Sequence, residues 1–114
     1  MSFFDSEVVR AEMAEVSELQ EEVYNNVFKF PSMPKEDKKY HVQVLEKLLE
    51  KQRILYTRVS LSDDPEAKKM KEQILEGATT MGLPSNIDMN VFFKNMSEMV
   101  DVMKKQIDND NFKM

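Results

Sequence analysis

Cysteine is absent from the chain. That excludes disulfides, thiolate zinc sites and a cysteine nucleophile, and it fits a reducing compartment. Glycine occurs only at Gly77 and Gly82. Phosphate cradles need glycines so that backbone N–H groups can approach the anion, and none of the P-loop, dinucleotide or nucleophile-elbow spacings is present. His41 is the single histidine. Without a second imidazole or a thiolate the common zinc geometries are out of reach, as are the paired Glu-x-x-His motifs of di-iron bundles. A serine nucleophile would have one base to draw on. No apolar run approaches the roughly 20 residues of a membrane span, and the opening MSFFDSE lacks the basic start and apolar stretch of a secretion signal. Two glycines and four prolines leave few turns for a many-stranded fold. These absences predict a cytoplasmic, non-enzymatic protein with no catalytic residues, no metal, no cofactor and no membrane association.

The residues that are present read as helices. The longest pattern is Lys35 to Leu61, which has no internal Gly or Pro and follows Pro34. Val44, Leu45, Leu48, Leu49, Leu55, Tyr56 and Val59 recur at steps of three and four, the period of one buried helical face. Before it, Asp5 to Val27 carries the stripe Val9, Met13, Val16, Leu19, Val23 and Val27, with Ser2 or Asp5 as cap and Phe4 and Val9 placed for a hydrophobic staple. Pro31 and Pro34 forbid a continuous helix between the two, and the short connection makes them antiparallel neighbours. A third helix starts with Asp64 as cap and Pro65 at its first position, and runs to about Met81 before Gly82. A fourth runs from Asp88 or Met89 to about Ile107, with Phe92, Met96, Met99, Met103 and Ile107 as its stripe and Ile87 or Ser85 contributing to its start. The fold class is all-α, with two long antiparallel helices followed by two shorter ones. Residues 1–108 form one helical domain and 109–114 a flexible tail. The shorter pair cannot cover the long hairpin along its full length, so a homodimer is expected to complete the bundle.

Charge is unevenly spread. The first 31 residues hold seven acids and two bases, whereas residues 32–61 hold seven bases and four acids. An acidic first helix beside a basic second one suggests pairing between them, set against two solvated faces of opposite bias. The basic residues Lys35, Lys38, Lys39, Lys47, Lys51 and Arg58 are the candidate phosphate contacts of a nucleic-acid-binding reading. Interleaved Glu36, Asp37, Glu46 and Glu50, and a net charge of −5, favour surface pairing at i,i+4 instead. Asp37 and His41 lie one turn apart and could share a ligand or a proton, but no partners for such a site are identifiable, and a capped or surface His41 is the simpler expectation.

Two apolar clusters carry a partner-binding reading. Tyr24, Phe28, Phe30, Met33 and Tyr40 gather around the first turn, where they serve either to pack the helix ends or to fill a partner's pocket. Ten methionines, concentrated in the fourth helix, suit either a core or a surface that accepts varied partners. Phe93 falls off that helix's expected stripe and so points to a contact surface. Gln52 and Arg53 interrupt the second helix's stripe and either set register or mark an exposed edge.

The opening Met1-Ser-Phe-Phe-Asp-Ser-Glu7 and the segment from Arg53 to Lys68, RILYTRVSLSDDPEAK, resemble a family of small helical proteins of cyanobacteria and their phages, catalogued as a domain of unknown function. The resemblance covers nearly the whole chain. It brings no activity, cofactor or catalytic residue, and it implies an accessory protein of a photosynthetic bacterium or a phage copy of one. The reading is therefore a helical protein–protein interaction module whose partner surface is Phe28, Phe30, Met33, Tyr40 and Phe93. A nucleic-acid-associated regulator acting through the basic residues is the alternative.

Overall fold

A computed structural model describes residues 3–80, 82–83 and 88–109. Four α-helices follow one another: α1 (Glu7–Asn26), α2 (Lys35–Leu61), α3 (Pro65–Thr80) and α4 (Met89–Asn109), with short 3₁₀ turns at Phe3–Asp5 and Phe30–Ser32. The fold is all-α, with no strand among the described residues. The helices hold 20, 27, 16 and 21 residues, so α2 alone is long and α4 matches α1.

The boundaries follow from local chemistry. Phe3–Asp5 winds into its own turn, closed by the Ser6 N–H donating to the Phe3 carbonyl at 3.3 Å. Ser2 lies outside the described residues, and Asp5 does not cap α1. Ser6 does, in extended conformation, its Oγ accepting from the Val9 N–H at 3.4 Å. Phe4 and Val9 then no longer flank the cap as a staple, although both pack into the same core. Pro34 precedes α2 and Ser62 ends it in extended backbone. Asp64 caps α3, Oδ1 accepting from the Glu66 N–H at 2.8 Å, while its Oδ2 accepts from the Phe3 N–H at 2.5 Å. One carboxylate thus ties the start of α3 to the start of the chain. Asp88 caps α4, Oδ1 accepting from the Asn90 N–H at 2.9 Å. Gly82 has φ +97, a conformation that costs other residues strain. Ser85, Ile87, Met81 and residues 110–114 lie outside the described residues.

Contacts set the directions. Arg58 pairs with Glu12, Lys51 with Glu15, and the Tyr40 hydroxyl with Glu22. As numbers rise on α2 they fall on α1, so the two are antiparallel, and the acidic and basic helices do pair. Lys104 meets Glu46, Asp108 meets Lys39, and the Phe93 ring meets Tyr56, so α4 is antiparallel to α2 as well. Helix α2 is central: α1, α3 and α4 all pack on it, while α4 makes no extended contact with α1 or α3.

Two cores result. The first joins α1, α2 and α3 through Val9, Val16, Leu48 and Leu55, with Phe3, Phe4, Met13 and Met70 at its edge. The second joins α2 and α4 through Val42, Val100 and Ile107, with Phe30, Leu49 and Met103 against it. Burying each such aliphatic side chain contributes about 1.5–3 kcal/mol relative to leaving it exposed. The single buried face expected on α2 is in fact two, and Val42, outside the expected stripe, is among its most buried residues. The molecule is long and flat, 57 × 31 × 19 Å, with a radius of gyration of 16.4 Å.

Candidate functional site

The α1–α2 hairpin ends in an aromatic tip. Helix α1 stops at Asn26, but residues 27–29 continue as a turn, with the Lys29 N–H donating to the Asn26 carbonyl at 3.0 Å. That turn carries the one-helical-turn spacing of Tyr24 and Phe28 past the end of the helix. Phe28 is 94% exposed, and Tyr24, Val27 and Tyr40 of the same hairpin are exposed as well. A phenyl ring in water is the costliest feature of this surface, since burying it would remove well over 100 Å² of apolar area from solvent.

The residues beneath the tip are fixed. Phe30 opens the second 3₁₀ turn, its ring centroid 5.2 Å from that of His41 and 5.8 Å from the Lys38 ammonium. Met33, which ends that turn, is half-buried. The Tyr40 hydroxyl donates to Glu22 Oε1 at 2.7 Å. That hydrogen bond, with the Glu22 charge and a little desolvation, raises the Tyr40 pKa above its ordinary value. Tyr40 is thus held in place as a neutral ring edge, and Phe28 is the free element.

Two expectations change here. His41 is not a surface residue: it is 5% exposed, under Phe30 and beside Val42 on α2. Burial lowers its pKa, with the Glu22 charge acting in the opposite direction. Asp37, its supposed partner, is exposed, and no group of three or more His, Asp or Glu residues suited to a metal occurs among the described residues.

Phe93 is the second. It is 6% exposed and packed against Tyr56 and Phe92 in the α2–α4 seam, so it is a core residue rather than an exposed contact. The seam of α4 is Met89, Phe93, Met96, Val100, Met103 and Ile107, which keeps Met96, Met103 and Ile107 of the expected stripe but takes Phe93 and Val100 in place of Phe92 and Met99. The cause is an apolar arc wide enough to hold two heptad stripes, of which only packing on α2 selects one. Met99, expected inside, is outside.

The basic residues of α2 do not form a common surface. Arg58 and Lys51 are held by Glu12 and Glu15 at 2.7 and 3.0 Å. Lys39 pairs with Asp108 at 3.5 Å, Lys35 reaches the Asp108 carbonyl, and Lys38 lies over Phe30. Lys47 makes none of these pairs and lines an open groove of about 770 Å³ between α2 and α4. Its rim alternates in sign, with Glu46, Glu50 and Glu98 among Lys51, Arg53 and Lys94. Such a rim offers phosphate as much repulsion as attraction. Gln52 is half-buried, and Arg53 turns outward to Glu50 at 2.7 Å.

Val27 is the tip residue that sequence reasoning assigned elsewhere. It continues the α1 stripe by spacing, but the helix ends one residue before it. No described helix is long and apolar enough to cross a membrane. A family model described as a domain of unknown function matches residues 1–107. No curated protein and no solved structure matches the chain.

Proposed function

The chain belongs to the family of that description, DUF1825, along nearly its whole length, and we propose that it is a non-enzymatic adaptor that docks its aromatic hairpin tip into an apolar pocket of another protein. The observation that carries this is Phe28. Its ring is almost wholly in solvent at the apex of a hairpin whose neighbouring residues are pinned by packing and hydrogen bonds. A preorganised apolar knob binds with little loss of its own freedom, which is how single aromatic anchors come to dominate an interface. Phe28, Tyr24 and Tyr40 make the knob, and Phe30 and Met33 support it. The setting is the cytoplasm of a cyanobacterium or of its phage-infected cell.

The test is a tagged pull-down from native lysate, half of it nuclease-treated, with wild type beside Phe28→Ala. A protein recovered equally from both halves by wild type and lost with Phe28→Ala is the expected result. Recovery indifferent to Phe28 overturns the tip as the site. Recovery that disappears with nuclease replaces the reading with nucleic-acid binding through Lys47 and its neighbours.

A further inference from the structure

We infer that α4 is a two-sided helix whose outer face pairs with α4 of a second copy of this chain. At about 100° per residue, the seam that α4 presents to α2 is followed around the helix by a second stripe: Phe92, Asn95, Met99, Val102 and Gln106. Their spacings of three, four, three and four are those of heptad a and d positions. Met99 and Val102 are 57% and 52% exposed, and Phe92 is only half-buried. No charged residue interrupts the stripe. The charges of the helix, Lys94, Glu98, Asp101, Lys104, Lys105 and Asp108, fall on the remaining arc, where Lys104 and Asp108 meet Glu46 and Lys39 of α2. Among the described residues neither α1 nor α3 makes an extended contact with α4, and Met99 and Val102 remain open.

The accessible surface says what covers it. A compact monomer of 13.4 kDa exposes about 6,500 Å², whereas this chain exposes 8180 Å². Its radius of gyration of 16.4 Å likewise exceeds the roughly 13 Å of a compact chain of this length. The excess over the whole chain, about 1,700 Å², leaves room for the ~800 Å² that each partner buries in a standard interface. A self-complementary uncharged stripe on a protein with that much surplus surface fits a closed two-fold pair. The stripe extends about 21 Å, too short for an isolated coiled coil. Helix α2 buttresses each copy, so the pair forms a four-helix layer with the two α4 helices at its centre. Asn95 and Gln106 are the polar residues of the stripe, and Asn95, between Phe92 and Met99, is placed to set register.

Sedimentation equilibrium of the full chain across a hundredfold concentration range tests this. Wild type is expected at twice the chain mass, and Met99→Lys with Val102→Lys at the chain mass, with unchanged helical circular dichroism. Asp101→Lys, on the charged arc, and Phe28→Ala, at the tip, are expected to remain dimeric. A wild-type monomer throughout overturns the inference, and so does a dimer that the double variant leaves intact. If the double variant loses its helical signal, Met99→Gln with Val102→Gln replaces it, and unaltered dimerisation of that folded variant is equally fatal. Because Phe28 lies off the stripe, loss of tip binding and loss of dimerisation are separate outcomes.

Discussion

The two sides of α2 are held by different means. On the α1 side, an acidic helix meets a basic one, pairs cross at Glu12, Glu15 and Glu22, and the Phe3–Asp5 turn and α3 close the core. On the α4 side, the core is smaller and rests on a methionine-rich helix with its outer face unoccupied. Charge complementarity on the first side says which helices meet and in which direction. Apolar excess on the second leaves the choice of face to packing. The first seam is closed within the chain, and the second is the one a partner copy would complete.

The largest expected effect is on the second seam. Phe93→Ala removes a buried ring and should cost about 4 kcal/mol in urea denaturation, whereas Phe93 on a free partner surface would cost almost nothing. Leu55→Ala in the first core should cost about 3 kcal/mol. Hydrogen exchange on the two variants sharpens the contrast. With Phe93→Ala, α4 should lose protection while α1 keeps it, and with Leu55→Ala both should lose it together. Equal loss in both variants would mean that the two cores are one cooperative unit.

Asp64→Ala comes next, at about 1–2 kcal/mol, because the carboxylate caps α3 and also accepts from the Phe3 N–H. Asp64→Asn should recover part of that loss, since an amide oxygen can still cap. Proton uptake at His41 gives a pH test of the second seam. Its pKa is lowered in the folded chain by burial, so the unfolded state holds the proton more tightly. The stability this contributes is complete above the ordinary imidazole value of about 6.5, and it is lost as pH falls from there through the folded value. Thermal melts of wild type and His41→Phe should converge above neutrality and separate below it. The smallest effect belongs to Glu15→Gln. Both ends of its pair with Lys51 are partly exposed, so the change should stay within about 0.5 kcal/mol and vanish in high salt. A larger loss would show that charge stabilises the first seam as well as orienting it.

What was legible in the sequence divides along the same line. Lys35–Leu61 is a helix over the residues its period marked, because a 27-residue run without Gly or Pro has no competing local structure. Asp64 and Asp88 cap as their positions suggested, since short acidic side chains before a helical pattern satisfy exposed N–H groups. Ser6 displaced Asp5 because a turn of only three residues moved the start of α1, and nothing in periodicity marks so short an element. Phe92 and Phe93 could not be told apart by spacing: both extend a three-and-four pattern, and the one that faces α2 is buried. The tip was legible as a cluster of aromatics around two prolines. That Phe28 stands out while Phe30 folds back over His41 was not, because both lie in a turn where helical period carries no directional information.

The sequence by itself determined that this protein is four helices without disulfide or glycine-rich phosphate chemistry, and that its first two helices run antiparallel with an acidic one beside a basic one. Those are consequences of composition, local period and charge, which act over a few residues or along one helix. Only the tertiary structure decided that α2 is shared by two cores, that Phe93 is inside and Met99 outside, and that His41 is buried. Each of these depends on which of several equivalent apolar arcs finds a partner, and that is settled by helices packing together rather than by any one helix alone.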